Sequence, residues 1–222
     1  MKKFLMLFLF AFLMVQSIVV VKAYDGQKAA AYAKKYWKKS NTNYHTYNND
    51  CTNFVSQCLV AGGLKPTTMP QAAKTGAGIR AQSVYITKKH WAYIVNHWTS
   101  VNGYGQKIGG YSTIATNTWC NVSAFYEYMT TYRNVKSKIF NVKSKNGLTS
   151  LINNSQVGDV LQFTKKVNGK PIKYHSVIVV SKSKNDIQIA YHSNNVKTSL
   201  RQRIEKLARY NIVYLLKFNK AR

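Results

Sequence analysis

The chain has 222 residues, 45% of them apolar, which is enough to bury one core without disulfide staples. Thirty-three Lys and Arg face six Asp and Glu, for a formal net charge of +27, so the surface repels itself and is suited to an acidic partner or to plain solubility. Three cysteines, with no C-x-x-C and no Cys/His cluster at zinc spacing, exclude a disulfide scaffold and give no support to a metal site or a cofactor.

The first residues, MKKFLMLFLFAFLMVQSIVVVKA, begin with Lys2 and Lys3 and continue as an apolar run from Phe4 to Val21. Val21-Lys22-Ala23 is a small-residue cleavage pattern, so residues 1–23 are expected to be a secretory signal, with a retained membrane anchor as the other reading. Without Lys2, Lys3 and Lys22 the charge is +24. No later stretch is long and apolar enough to cross a bilayer as a helix, and residues 24–222 read as one domain.

DGQKAAAYAKKYWKKS (25–40) predicts an amphipathic helix, with Ala29, Ala30, Ala33, Tyr36 and Trp37 recurring at helical spacing. NTNYHTYNN (41–49) is polar and turn-rich, a loop. Next comes DCTNFVSQCLVAGG (50–63). Asp50 is placed to cap a helix beginning at Cys51 or Thr52; Phe54, Val55, Cys58 and Leu59 form its apolar stripe, and Gly62-Gly63 ends it. Residues 65–118, with Pro66, Pro70 and many Gly, Thr and Ser, read as loops with short pieces of structure, a pattern that suits a groove or lid. WCNVSAFYEYMTTY (119–132) predicts a helix.

From residue 157 the apolar period changes to two. VGDVLQF (157–163), KYHSVIVVS (173–181), DIQIAYHS (186–193) and NIVYLLKF (211–218) predict strands, the first two joined through Asn168-Gly169, a hairpin-turn signal. RQRIEKLARY (201–210) reads as a short helix or connector. Helices followed by an antiparallel meander is an α+β pattern.

A cysteine in the first turn of a helix meets unpaired N–H groups and the positive end of the helix dipole, which favour the thiolate. Cys51 is therefore the candidate nucleophile. A general base must come from elsewhere in the chain, and His175 at the head of a strand is placed to supply it. His192 and Asn194 lie near the end of the next strand, and a register pairing position 175 with 192 or 194 brings one of them against His175 to orient it. Against this, a single strand histidine is more often structural. His90 and His97 read as structural or as groove wall, and His45 as a bystander or a lining residue of the site. Cys58 falls on the apolar stripe as a buried thiol, and its pairing with Cys120 is open.

DCTNFVSQCLVAGG resembles the nucleophile motif of the putative amidase domain family (the amidase-six type), related to papain-like cysteine hydrolases of the NlpC and CHAP kind. AAAYAKKYW, WCNVSAFYEYM, VGDVLQF with HSVIVVS, and AYHSNN resemble further segments of that family in order, across nearly the whole chain after residue 23. The resemblance implies a papain-like α+β fold with the nucleophile helix packed on a C-terminal antiparallel sheet. It implies Cys51 as nucleophile, His175 as base and His192 as the third residue, with Asn194 in reserve. It further implies hydrolysis of an amide, with the oxyanion met by the Cys51 N–H and a donor in loop 44–49.

Export and positive charge then point to cell-wall peptidoglycan and anionic wall polymers as partners, and to no specific nucleic acid. Two other readings stay open. One is a secreted protease or acyltransferase with the same site; the other is a non-catalytic cationic wall-binding or antimicrobial protein.

Overall fold

A computed structural model describes residues 24–71, 82–206 and 212–218. The expected signal segment, 1–23, the end of the connector, 207–210, and the first residue of the last predicted strand, Asn211, lie outside the described residues. No helix among the described residues is long and apolar enough to cross a membrane.

Helix α1 spans Gly26–Tyr36. Asp25 starts it: Oδ1 accepts from the N–H groups of Gln27 and Lys28 at 2.9 and 3.1 Å. Ala29, Ala30 and Ala33 are fully buried, and small side chains allow close approach to what lies beneath. Helix α2 spans Cys51–Ala61 with Phe54, Val55, Cys58 and Leu59 fully buried, as the apolar stripe predicts. Gly62 closes it, its N–H donating to Cys58 O, and Gly63 takes φ +95°.

The middle of the chain departs from expectation. Strands β1 (Gln82–Tyr85), β2 (Tyr93–Val101) and β3 (Lys107–Thr116) form a sheet in the order β1-β3-β2, with β1 parallel and β2 antiparallel to β3. Only the far half of β3, from Ser112 to Thr116, is buried. The near half, KIGGY, has no apolar face, so no period of two marks it in the sequence. The predicted helix 119–132 is two: α3 (Asn117–Cys120) and α4 (Val122–Thr131). Asn121 breaks the run because its Oδ1 accepts from the N–H groups of Ser123 and Ala124 and so starts a new helix.

Strand β4 (Lys136–Asn141) and helix α5 (Lys145–Asn154) had no clear sequence signal. Three lysines hold the end of α5: Lys182 Nζ donates to the carbonyls of Asn153 and Ser155, Lys217 Nζ to the carbonyl of Asn154, and Lys138 Nζ to the Asn154 side chain. Cations on unpaired C-terminal carbonyls are favourable, so part of the basic excess is structural. Strands β5 (Val160–Val167) and β6 (Lys170–Lys182) pair through a turn with Asn168 and Gly169 at φ 49° and 76°, as Asn-Gly predicts. Strands β7 (Ile187–Tyr191), β8 (Val196–Ser199) and β9 (Ile212–Lys217), with helix α6 (Leu200–Lys206), complete the chain.

The larger sheet runs β4-β9-β5-β6-β7-β8, antiparallel throughout. Its central strands are covered on both faces. Val160, Ile178, Val180, Ala190 and Leu216 pack with α1, α2 and α4. Leu161, Phe163, Val177, Val179, Ile189, Tyr191, Val213 and Leu215 pack with Leu151 and Ile152 of α5 and Leu200 of α6. Double burial is why HSVIVVS reads as a continuous apolar run rather than an alternation. The fold is α+β, with the Cys51 helix lying on the antiparallel sheet.

Gly158 sets how closely α1 meets that sheet. It takes φ +88°, and a Cβ there would stand 2.3 Å from Gly26 Cα. Gly169 takes φ +76° with nothing within 4 Å of a Cβ. Gly158→Ala is expected to lower unfolding free energy by about 3 kcal/mol or more, and Gly169→Ala by about 1 kcal/mol, in urea titrations of both variants.

Candidate functional site

The start of α2 is held by a buried polar network. Asp50 is 3% exposed and does not cap its own helix with its side chain. Its Oδ1 instead accepts from the Tyr47 N–H at 2.9 Å and from Asn53 Nδ2 at 2.7 Å, while Oδ2 lies 2.6 Å from His192 Nδ1. This corrects the expectation of an Asp50 cap: the carboxylate is drawn away from the helix by partners on other segments. The other nitrogen of His192, Nε2, donates to the carbonyl of Tyr36, where α1 ends, at 2.8 Å, and the ring stacks on Phe54 at 4.0 Å. The Asp50 N–H donates to Ser193 Oγ at 3.0 Å. Asn53 extends the network: its Nδ2 also donates to His45 O, and its Oδ1 accepts from Trp119 Nε1 at 2.8 Å.

With Asp50 engaged elsewhere, Cys51 sits at the first helical position, 4% exposed. Its Sγ takes the backbone N–H of Ser176 and lies 3.8 Å from the Thr52 hydroxyl. Ser176 follows His175 directly, so the sulfur rests against the His175–Ser176 peptide. Thr52 Oγ1 and Ser176 Oγ are 3.0 Å apart, and Gln162 Nε2 donates to Ser176 Oγ at 3.1 Å, which ties the helix start to β5 and β6.

Cys51, His175 and Asn194 line one cavity of about 440 Å³, together with Asn49, Cys120, Asn121, Lys165, Lys173, Ser193 and Arg203 among others. His192 is not among its lining residues. The β6–β7 register explains this. Ile178 faces Ala190 and Val179 faces Ile189, so the pairing extended past the end of β7 would put His175 opposite Ser193, while His192 lies in the turn after β7. A one-residue offset sends the two histidines to opposite faces of the sheet. His192 points to the α1–α2 side, and His175 to the side of Phe163 and Tyr191, whose ring stands edge-on to it at 4.5 Å. The register expected from sequence, 175 with 192 or 194, is off by that single residue.

A larger cavity of about 630 Å³ lies elsewhere, between loop 42–46 and the small sheet, where His45 and His97 line it beside Tyr44, Tyr93 and Tyr111. His45 therefore belongs to a neighbouring wall and not to the Cys51 pocket. His90 sits with Nδ1 3.2 Å from the carbonyl of Thr68. All three cysteines are free: Cys58 is fully buried, and Cys120 is partly exposed with Sγ donating to Thr116 O.

Burial pushes the Cys51 thiol up; the Ser176 N–H and the Thr52 hydroxyl and N–H pull it partly back down, and the nearby Asp50 charge raises it again. Burial, then the Arg203 guanidinium, lowers His175 from 6.5 to about 3. Its Nε2 is sealed from solvent without a hydrogen-bond partner. Both effects favour an uncharged thiol and an uncharged imidazole. A helix-terminus effect of at most about 2 kcal/mol does not overturn burial shifts that reach 3–5 pKa units for fully buried groups, roughly 4–7 kcal/mol.

Lys165, Lys173, Tyr174 and Arg203 were missed from the sequence. The two lysines flank the Asn-Gly turn at strand ends, where cations are usual and unremarkable. No sequence signal places Arg203 near His175.

Two measurements follow from these environments. An unfolded chain binds a proton on His175 near 6.5 and the fold only near 3. The stabilising difference is thus fully present above the higher value and is lost as pH falls through that window. Urea titrations are expected to show an extra loss of up to about 1.4 kcal/mol per pH unit below about pH 6 in the native protein relative to His175→Gln. Burial raises Cys120 to about 11 and Cys58 well above its ordinary value. Iodoacetamide with peptide mapping is expected to label Cys51 first, then Cys120, then Cys58, with the Cys51 rate still rising above about pH 9.

The family model described as Putative amidase domain matches residues 23–214. Two relatives from Bacillus subtilis (strain 168) are similar to this chain. The uncharacterized protein YjcM is 28% identical over 182 residues, covering 79% of this chain and 32% of that protein. The uncharacterized protein YhbB is 37% identical over 76 residues, covering 34% of this chain and 21% of that one. The chain thus spans a third or less of the length of these curated relatives. No solved structure matches. The matched span begins just before α1, takes in the Cys51 helix, both sheets and the His175 strand, and ends within β9, so the chain belongs to the putative amidase domain family.

Proposed function

We propose that this protein is an exported, cysteine-dependent amide hydrolase with a papain-like site, acting on cell-wall peptidoglycan. Family membership supports amide hydrolysis. The observation that carries the cysteine reading is the convergence of Cys51, His175 and Asn194 on one cavity, with Cys51 Sγ against the Ser176 N–H.

The chemistry runs from uncharged partners. His175 takes the thiol proton as Cys51 Sγ attacks the amide carbonyl; with Nε2 sealed in the interior, Nδ1 is the nitrogen left for that proton. The C–N bond breaks from the tetrahedral adduct as His175 returns the proton to the leaving amine. Water then attacks the thioester, giving up a proton to His175, and releases the acid and the thiol. The Cys51 N–H, unclaimed by the Asp50 side chain, faces the developing oxyanion. Asn49, from loop 44–49, supplies the second donor in this scheme.

The third-residue role falls to Asn194, which shares the cavity, rather than to His192, whose ring nitrogens are engaged by Asp50 and Tyr36. His192 is a positioning residue that acts through Asp50 on the helix start. Export rests on the character of residues 1–23, and attraction to anionic wall polymers on the charge of +27.

Purified protein lacking residues 1–23 is incubated with peptidoglycan, and new amines and product ends are identified by mass spectrometry. Cys51→Ser and His175→Ala are each expected to lower release by about 10²–10⁴-fold. Asn194→Ala is expected to lower kcat with little loss of stability. His192→Gln is expected to cost about 3 kcal/mol of stability by leaving Asp50 unpaired. Equal release by native protein and the Cys51 and His175 variants would leave the non-catalytic cationic wall-binding reading in its place. The product ends separate amidase from endopeptidase.

A further inference from the structure

The Cys51 cavity has a charge character that amide hydrolysis by itself does not require. Its lining includes Lys165, Lys173 and Arg203 and no Asp or Glu. A basic chain puts lysines in many places, but the larger cavity beside the small sheet has no Lys, Arg, Asp or Glu in its lining. Of these two cavities only the one at Cys51 is lined by cations.

They are also held in place. Lys173 Nζ stands 4.1 Å from the centre of the Tyr126 ring and 4.4 Å from that of Tyr214, clamped between them. Lys165 Nζ lies 5.6 Å from the Tyr174 ring, and the Arg203 guanidinium 5.0 Å from that of Tyr191. The backbone accounts for their direction. Phe163 pairs with His175 but Thr164 with Lys173, so β6 carries one extra residue at Tyr174. In a straight strand neighbours face opposite sides; the bulge instead turns Lys173, Tyr174 and His175 all onto one cavity.

A half-buried cation is costly unless an anion meets it. Lys173 is half-buried and Lys165 exposed; among the described residues neither forms an ion pair, and the acid whose field reaches Lys173 is the exposed Glu127 on α4. The Lys173 charge, met by two aromatic rings and no carboxylate, lines the cavity.

We propose that this cavity selects an amide substrate bearing a free carboxylate beside the scissile bond, with Lys173 and Lys165 as the residues that read it. This rests on the amide-hydrolase reading of the same site. A carboxylate fits better than a phosphate, because the cavity wall offers separate point charges and no glycine-rich loop of N–H groups to cradle a phosphate.

The test uses Cys51→Ala protein, so that binding is read without turnover, titrated by calorimetry with N-acetylglycine, N-acetylglycinamide and inorganic phosphate. N-acetylglycine is expected to bind at least about tenfold more tightly than the other two, and Lys173→Gln or Lys165→Gln in the same background to remove most of that preference. In parallel, the ratio of iodoacetate to iodoacetamide alkylation rates at Cys51 is expected to exceed that of free N-acetylcysteine and to fall about tenfold in Lys173→Gln. Urea midpoints verify that the variants are folded. Equal affinity for N-acetylglycine and N-acetylglycinamide, tighter binding of phosphate, or a preference untouched by both lysine variants would overturn the proposal. Carboxylate selection without amide cleavage would sink the hydrolase reading alone, and cleavage with no carboxylate preference would sink only this one.

Discussion

The interaction on which the rest of the site depends is the buried carboxylate of Asp50. A charge removed from water is tolerated only when it is paired and hydrogen-bonded. Asp50 meets both demands through residues from separate parts of the chain: the Tyr47 N–H from the preceding loop, Asn53 from its own helix and His192 from beyond β7. His192 in turn grips the carbonyl at the end of α1, and Ser193 receives the Asp50 N–H. One acidic side chain thereby sets the relative position of α1, α2 and the turn after β7. Cys51 is the next residue, and it inherits that placement.

The same carboxylate leaves the helix start open. An N-terminal acid normally satisfies the first N–H groups of its helix. Here it is occupied elsewhere, and the Cys51 sulfur sits at the first helical position against a sheet-strand N–H. Burial favours the uncharged forms of both Cys51 and His175.

Electrostatics divides the surface into functions. Some lysines cap the end of α5, some are solvated, and Lys173 is clamped between two aromatic rings at the Cys51 cavity. The distinction is invisible in a formal charge of +27. It arises because burial and aromatic neighbours, not charge, decide whether a cation is spent on the fold or turned toward a ligand.

The sequence by itself determined the α+β class, the Cys51 helix with its apolar stripe, the Asn-Gly hairpin and the strand that carries His175. These are local: each is written in a period of 3.6 or 2, a turn pair or a helix stop within a dozen residues. The small sheet was not legible, because half of β3 has no buried face to impose alternation. The helix break at Asn121 was hidden because a polar side chain can face solvent or claim the N–H groups ahead of it with the same letters. Only the tertiary structure decided that Asp50 serves His192 instead of its own helix and that His175 and His192 face opposite sides. It alone decided that a bulge at Tyr174 turns Lys173 toward Cys51. A register differing by one residue, or one extra residue in a strand, leaves composition and periodicity almost unchanged but moves a side chain through the sheet, and only long-range packing selects between the two.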